Sequence, residues 1–453
     1  MVSAGLIATT QQRMVLGLGV TGCSVARWWR SQGLPFKAAD TRNHMAERPE
    51  VRAALGECEA YFGELDPNLV NDVTELVVSP GIGLDHPLVL HARDNGARII
   101  GDIDLFMAQA RAPVIGITGS NGKTTVTELV GHLLRHSGKR VAVGGNLGTP
   151  ALDLLDDAVD YYVLELSSFQ LERSEELGLT VATVLNVSAD HLDRHGSLPL
   201  YHQAKHRIFR GAKAVVANRA DPLTIPLLEA PVDVVLWRPD EPDLAELGTR
   251  YIDNKQFICR GFEALLPVDE LQLQGQHNVA NVLAALACAV AAGLPLEVLA
   301  QGVMSFHGLP HRCEKIADAK GVLWINDSKG TNTGATLAAL TGLGGSANVI
   351  LIAGGVGKGQ DFSVLAPAVK QHCKRVLTLG ESAREIELAL GGTAPCQRVA
   401  DVDAAVERAA QLSEPGDVVL LSPACASFDQ FSGYQARGDA FRAAVMRRIG
   451  GGL

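Results

Sequence analysis

The segment Gly116-Ile117-Thr118-Gly119-Ser120-Asn121-Gly122-Lys123-Thr124-Thr125 carries the strongest chemical signal in the chain. It follows the apolar run PVIGI and precedes the helix-like TELVGHLL. Successive N–H groups of such a loop can cradle phosphates, Lys123 can reach the β and γ oxygens, and the Thr124 hydroxyl can bind Mg2+. Five residues, not four, separate Gly116 from Gly122, so the spacing departs from the strict P-loop pattern. A Gly-Lys-Thr triplet is common by chance. One that lies between strand and helix, with Gly119 and Gly122 both present, predicts a phosphate-binding loop over Gly119–Thr125.

A second glycine turn, Gly17-Leu18-Gly19-Val20-Thr21-Gly22, has GxGxxG spacing, with Asp40 eighteen residues after Gly22 at the end of the next apolar run. Such a turn lets backbone approach a phosphate at a helix N-terminus. NAD with Asp40 on a ribose, another nucleotide, and a turn that binds nothing all remain open on this evidence.

Glu165 sits near the end of the run YYVLELS, and a carboxylate at a strand's carboxyl end points into the crevice where α/β folds bind ligands. Its neighbours are apolar, and a buried charge needs a partner. His191 follows another strand-like run, beside Asp190 in NVSADHLDRHG, and is read as a metal or phosphate residue. Mg2+ prefers oxygen, so a histidine ligand would be unusual. Lys205 in YHQAKHRIF is not distinguishable by composition or spacing from Lys213. Asn278 opens an Ala-rich helix, where a cap is the simpler reading than a contact to a base.

Arg312 in LPHRCE and the cluster Asp327, Ser328, Lys329 and Thr331 in INDSKGTN place charge where a transferring phosphoryl group would need it. Lys358 sits in the glycine-rich turn 354–359 and can bind a carboxylate, and small residues leading to Ser427 leave room for a ligand.

These residues need a large scaffold. The 453 residues suggest about three domains. Hydrophobic residues are 47% and charged residues 20%, which excludes a disordered or fibrous chain. A net charge of −10 argues against non-specific nucleic-acid or anionic-membrane binding, so an anionic ligand must be met by local cations. Eight scattered cysteines without a CxxC pair predict reduced thiols and a cytoplasmic compartment. The segment MVSAGLIATTQQRMV has no basic start or long apolar core, so no signal peptide is expected. The most apolar window, 279–294, is too short to cross a bilayer and reads as a buried helix.

Short apolar runs alternate with helix-like stretches, which predicts an α/β fold with parallel sheets. The strands fall into three blocks: 14–19, 36–40, 76–81 and 98–101; then 113–119, 140–145, 161–167, 181–187 and 214–218, with a β-rich excursion near 250–275; then 322–327, 348–355, 375–380 and 417–423. The expected domains are 1–103, 104–308 and 309–453.

Taken together, GITGSNGKTT, ELSSFQLE, DHLDRHG, GQHNVANVLAAL, LPHRCE and NDSKGTN resemble, in kind and in order, the ATP-dependent Mur ligases of peptidoglycan synthesis and their folylpolyglutamate synthase relatives. The resemblance covers nearly the whole chain. It implies an N-terminal Rossmann-like domain for a UDP-linked substrate, a central P-loop ATPase with a mainly parallel sheet and a small β-rich part, and a C-terminal Rossmann-like domain. The turn GLGVTG, DTR, SPGI, GGNLG and SPACASFDQF with GYQARG are most similar to the D-glutamate-adding branch, and the DNPR motif of the next ligase is absent.

That branch implies ATP, two Mg2+ ions, UDP-N-acetylmuramoyl-L-alanine and D-glutamate, with no nucleic acid, no membrane and a monomer. Carried over by motif, Val20, Thr21, Asp40, Thr41, Arg42, Ser79 and Asn146 would meet the uridine substrate. Gly119 to Thr125 with Asn278, Arg312 and Asp327 would meet ATP. Thr124 and Glu165 would hold one Mg2+, and His191 and Lys205 the other. Lys205 stands where the family carries a carbamylated lysine, an anionic oxygen ligand where an ammonium would repel the ion. Lys123, His191, Lys205 and Lys329 would be catalytic. Thr331, Lys358, Ser427 and the backbone at Tyr434, where relatives usually carry Phe, would hold D-glutamate. The alternatives are another Mur-type or folylpolyglutamate-type amide ligase, or a P-loop protein joined to an NAD-binding domain.

Overall fold

The computed structural model describes residues 11–227, 231–273 and 275–450. Residues 1–10, which carry most of the expectation of no signal peptide, lie outside that set.

Three sheets follow one another along the chain. The first holds β1 (Arg13–Leu16), β2 (Lys37–Asp40), β3 (Glu59–Phe62), β4 (Glu75–Val78) and β5 (Arg98–Ile100), all parallel, in the order β3-β2-β1-β4-β5. The second holds β6 (Val114–Thr118), β7 (Val141–Gly145), β8 (Tyr161–Glu165), β9 (Val181–Val184), β10 (Ala214–Asn218), β11 (Asp233–Trp237), β12 (Leu247–Ile252), β13 (Lys255–Arg260) and β14 (Glu263–Pro267), in the order β14-β13-β12-β11-β10-β9-β6-β8-β7. The third holds β15 (Glu314–Ala319), β16 (Val322–Asn326), β17 (Val349–Gly354), β18 (Cys373–Leu379), β19 (Cys396–Arg398) and β20 (Val418–Leu421), in the order β15-β16-β20-β17-β18-β19.

Sequence and structure agree on the α/β class for a physical reason. Central strands β1, β4, β6, β9, β17 and β20 are buried along their whole length. Helices cover both faces of a parallel sheet, so such strands are continuous apolar runs. The strands end sooner than the apolar runs suggest: β1 stops at Leu16 and β9 at Val184. The expected β-rich excursion is the antiparallel meander β12-β13-β14. Its first hairpin turns through Asp253 and Asn254, both left-handed as a two-residue hairpin requires. Strands β3, β11, β15 and β19 lie outside the strands expected from sequence.

The helix Lys123–His136 buries Val126, Leu129, Val130, Leu133 and Leu134, a stripe at helical spacing, in a core shared with the helix Gln276–Ala291. That second helix is the apolar window read from sequence, buried from Val282 through Ala289. No helix among the described residues is long and apolar enough to cross a membrane. All eight cysteines are free.

A stability prediction arises at the junction of the first two sheets. Asp102 is 3% exposed, its Oδ1 has no hydrogen-bond partner, and Gln170 donates to its Oδ2 at 3.3 Å. Burial pushes its pKa up to about 6. The folded state therefore holds this proton where the unfolded chain has lost it, and stability falls as pH rises between about 4 and 6. Asp102→Asn is expected to stabilise the protein at pH 8 by on the order of 1–3 kcal/mol and to flatten that limb. Denaturant melts at pH 4 and pH 8 check it; an unchanged or lower midpoint at pH 8 contradicts it.

Candidate active site

Apart from Asn146 after β7, Arg312 before β15, and Lys205, Asn278 and Tyr434 on helices, the residues singled out from sequence leave the carboxyl ends of three adjacent parallel strands in each sheet, where α/β sheets bind ligands. They follow β2, β1 and β4 in the first sheet, β9, β6 and β8 in the second, and β16, β20 and β17 in the third.

The phosphate loop follows β6. Asn186, just beyond β9, braces it: Ser120 N–H donates to the Asn186 carbonyl at 3.0 Å, Asn121 N–H to Asn186 Oδ1 at 2.9 Å, and Asn186 Nδ2 back to Asn121 O at 3.0 Å. Gly122 sits at φ 81°, and a Cβ there would meet Asn281 Oδ1 at 2.4 Å. The turn into the helix therefore needs glycine. Thr124 and Thr125 are buried in the first helical turn. Thr124 Oγ1 donates to Glu165 Oε2 at 2.7 Å, and Asn146 Nδ2 donates to Glu165 Oε1 at 2.7 Å. Glu165 is thus a buried carboxylate at a strand end, held by both partners.

Lysines close this pocket. Lys123 Nζ donates to Gly119 O and Ser120 O, both at 2.8 Å. Lys205 Nζ donates to the same Gly119 O at 2.9 Å and lies 4.4 Å from the Tyr201 ring centroid. Lys205 is 1% exposed, whereas Lys213 is exposed. The helix Leu198–His206 turns its Tyr201, Ala204 and Lys205 face inward, and this separates the two lysines. Burial, then the neighbouring Lys123 charge, pushes the Lys205 pKa well below the ordinary lysine value, and burial also lowers that of Lys123.

His191 lies on the rim. It is left-handed (φ 52°), caps the short helix Leu192–His195, packs edge-on against Phe169 and has Nε2 3.7 Å from Asp190 Oδ2. Asn278 is the third helical residue rather than the cap, which corrects the capping reading: Gly275 holds the cap position, and Asn281 Nδ2 donates to Asn278 Oδ1 at 2.9 Å.

The third sheet reaches into this centre. Arg312 Nη2 donates to Thr124 Oγ1 at 2.6 Å, and Asn332 Nδ2 to Asp190 Oδ2 at 3.3 Å. Lys329 stacks over the Tyr434 ring at 4.3 Å, and burial, then Arg312, pulls its pKa down to about 8. The Tyr434 carbonyl accepts from Ser328 Oγ at 2.8 Å. The tyrosine side chain therefore has a partner here, beyond the backbone role expected from sequence. Asp327 is fully engaged, accepting from Ser422 Oγ at 2.7 Å and Cys313 N–H at 3.2 Å, and burial raises its pKa to about 6. It supports the Arg312 segment from beneath. Thr331 is half-buried, Lys358 is exposed at φ 53°, and Ser427 is buried beyond β20. Arg437, unanticipated, donates to Ser328 O at 2.8 Å and Cys425 O at 3.1 Å, binding two of these loops together.

In the first sheet Asp40 is fully buried and accepts from Leu18 N–H at 2.6 Å and from Arg42 N–H, Nε and Nη2, each at 2.9 Å. It shapes the glycine turn, while Val20, Thr41 and Arg42 are exposed beside it and Thr21 is partly so. Ser79 Oγ donates to Gly17 O at 2.6 Å. A Cβ on Gly17, itself at φ 91°, would lie 2.9 Å from Ser79 Cβ.

Lys123, Lys205, Arg312 and Lys329 therefore surround one central carboxylate, Glu165, in a protein of net charge −10. Such a centre suits a polyanion. Among the described residues no group of three or more His, Cys, Asp or Glu stands ready for a metal ion. The oxygens of Thr124 and Glu165 suit Mg2+, an ammonium on Lys205 does not, and a carboxylated Lys205 would.

Comparison with known proteins decides the family. A MurD-like N-terminal domain profile of Mur ligases matches residues 11–101, the Mur ligase middle domain 117–289, and the Mur ligase glutamate ligase domain 311–425. The chain belongs to the Mur ligase family. It is 49% identical over 442 residues to the UDP-N-acetylmuramoylalanine–D-glutamate ligase of Pseudomonas syringae pv. tomato, covering 97% of this chain and 99% of that one. With the enzyme of the same name from Marinobacter nauticus it shares 48% over 441 residues, again 97% and 99% of the two chains. Among solved structures, the UDP-N-acetylmuramate-alanine ligase of Thermotoga maritima superposes with a TM-score of 0.59 at 20% identity, over 97% of this chain and 99% of that one. The MurF ligase of Thermotoga maritima in complex with ADP gives 0.56 at 18% identity, over 83% and 96%. This Mur ligase thus shares the family's fold across its described residues.

Proposed function

We propose that the protein is an ATP-dependent ligase that adds D-glutamate to UDP-N-acetylmuramoyl-L-alanine, in peptidoglycan precursor synthesis. The observation that carries the reading is the junction at which Arg312 of the third unit donates to Thr124 of the phosphate loop, whose hydroxyl donates to Glu165 at the end of β8. Near-half identity over the full length to relatives named for this reaction supports the choice of substrates.

A carboxylate is a poor electrophile, so the reaction needs a leaving group. A carboxylate oxygen of the lactoyl-alanine arm attacks the γ-phosphorus, and ADP departs with the electrons of the broken bond. The amine of D-glutamate then attacks the acyl carbon of the acyl phosphate and loses a proton. The tetrahedral intermediate collapses to the amide, and phosphate leaves carrying the former carboxylate oxygen.

In this reading the loop Gly119–Thr125 cradles the phosphates and Lys123 swings from its two carbonyls onto the β and γ oxygens. Arg312 and Lys329 balance charge on the transferring group and on the acyl phosphate. Asn278 and Asp327 belong to the nucleotide side. Thr21, Thr41, Arg42 and Asn146 belong to the uridine side. Thr331, Lys358, Ser427 and Tyr434 form the amino-acid side. Mg2+ at Thr124 and Glu165, and a second ion at His191 and carbamylated Lys205, would neutralise phosphate charge during transfer. A buried neutral amine is the form of lysine that adds carbon dioxide, and the depressed pKa of Lys205 favours it. The reading divides the chain at 103/104 and 308/309 and takes it to be a cytoplasmic monomer with reduced thiols.

Phosphate release with ATP, Mg2+, the uridine substrate and D-glutamate, each omitted in turn, tests it. Release that needs all four and fails with L-glutamate is expected. Release that ignores D-glutamate but answers to another amino acid would keep the family and overturn the member.

A further inference from the structure

We propose that Arg173, with Glu172 and Arg194, is a positioning device that clamps the 79–82 loop of the first unit against the turn carrying His191 in the second, so that the acceptor carboxylate is delivered to the phosphate loop. The inference rests on the reading of that loop as part of the uridine-substrate site.

The side chain of Arg173 is fully buried, and it donates to Val78 O at 3.1 Å, to Ser79 O, to Ile82 O at 3.2 Å and to Glu172 Oε1 at 2.7 Å. These carbonyls leave the end of β4, where the ladder stops and peptide groups need other partners. A rigid planar guanidinium can hold several of them in fixed directions, which a flexible lysine cannot. Arg194 Nη2 donates to the same Ile82 O at 2.9 Å and the same Glu172 Oε1 at 3.0 Å. Arg194 lies in the helix Leu192–His195 that His191 caps. His195 fixes that helix from below, with Nε2 3.0 Å from Ser168 Oγ.

On its other side the 79–82 loop is tied to the first glycine turn by Ser79 Oγ and Gly17 O at 2.6 Å. One continuous chain of contacts therefore runs from the uridine turn, through Ser79 and Arg173, to the rim of the phosphate site. The two units are also joined elsewhere, by Arg98 with Glu175 at 2.7 Å and by Gln170 Nε2 donating to Asp102 Oδ2 at 3.3 Å. The Arg173 bridge is thus the contact aimed at the site rather than the sole mooring between the units.

In-line transfer is sensitive to such placement, and a misplacement of about 1 Å costs about 10²-fold. Arg173→Met, similar in volume but without donors, is expected to lower kcat/KM for the uridine substrate about 10²-fold while KM for ATP and for D-glutamate stays within about twofold. Arg173→Lys recovers part of the loss, and Arg98→Ala, which breaks the exposed inter-unit pair, is unchanged. Should Arg173→Met lack a cooperative thermal transition, Glu172→Gln, which loosens both arginines, is read in the same way. An unchanged kcat/KM for the uridine substrate in a folded variant overturns the proposal. So do equal rises in all three KM values, which a merely structural role would give. Wild-type phosphate release is measured first: if it needs no uridine substrate, the reading of the site fails rather than the clamp.

Discussion

Lys205→Ala is expected to lower kcat by about 10²–10³-fold, and acetate or propionate in the assay to restore part of the loss. The argument begins with burial. Lys205 is 1% exposed, its hydrogen bond goes to Gly119 O, and Lys123 donates to that same carbonyl. Burial disfavours the charge on Lys205, and a second ammonium on the same carbonyl repels it, so its pKa is pushed well below the ordinary lysine value and the balance shifts toward the neutral amine. In the proposed function that amine carries carbon dioxide as a carbamate and turns a cation into an anionic oxygen donor beside the phosphates. Alanine removes the donor and leaves a space that a small carboxylate can enter. Steady-state phosphate release with and without acetate, on a variant checked for native circular dichroism, gives the answer. Full activity without rescue would remove Lys205 from the site.

The second large effect is expected at Lys123. Lys123→Met should cost about 10³-fold in kcat, because the ammonium that neutralises the γ-phosphate is lost. Its position makes a sharper prediction. The Lys123 charge is one of the causes that hold the Lys205 pKa down. Removing it should let Lys205 regain a proton and lose carbamate, so one substitution damages both sides of the phosphate site. The double variant should then be no worse than about tenfold below the poorer single one, far from the product of the two losses. Additive losses would show that the two lysines act independently.

The phosphate loop was legible in sequence because its signal is local: glycines, a lysine and a threonine between a strand and a helix. The α/β class was legible because strands buried on both faces must be continuous apolar runs. Strand β3 was not, since Glu59–Phe62 lies at the edge of its sheet with an exposed first residue and half-buried followers. Edge strands β15 and β19 escaped for the same reason. Lys205 and Lys213 looked alike because the difference lies in which face of a helix is covered, and the cover comes from the distant Gly119 loop. Tyr201 four residues before Lys205 was the available local signal. Asp40 and Asp327 read as ligand residues by type and position, and their oxygens also accept from backbone and neighbouring side chains, a second task that sequence does not show. Arg173 had no sequence signal, because its partners are carbonyls roughly ninety residues away. The motifs thus announced themselves one by one, whereas their convergence depends on contacts between sheets.

The most direct test of the account follows the oxygen. The uridine substrate, labelled with heavy oxygen in its terminal carboxylate, is incubated with ATP, Mg2+ and D-glutamate, and the released phosphate is weighed by mass spectrometry. Acyl-phosphate chemistry at the junction of Arg312, Thr124 and Lys329 predicts one labelled oxygen in each phosphate, matched by one new amide. Unlabelled phosphate alongside amide product would contradict phosphorylation of the carboxylate, and with it the role assigned to the convergence of the three sheets.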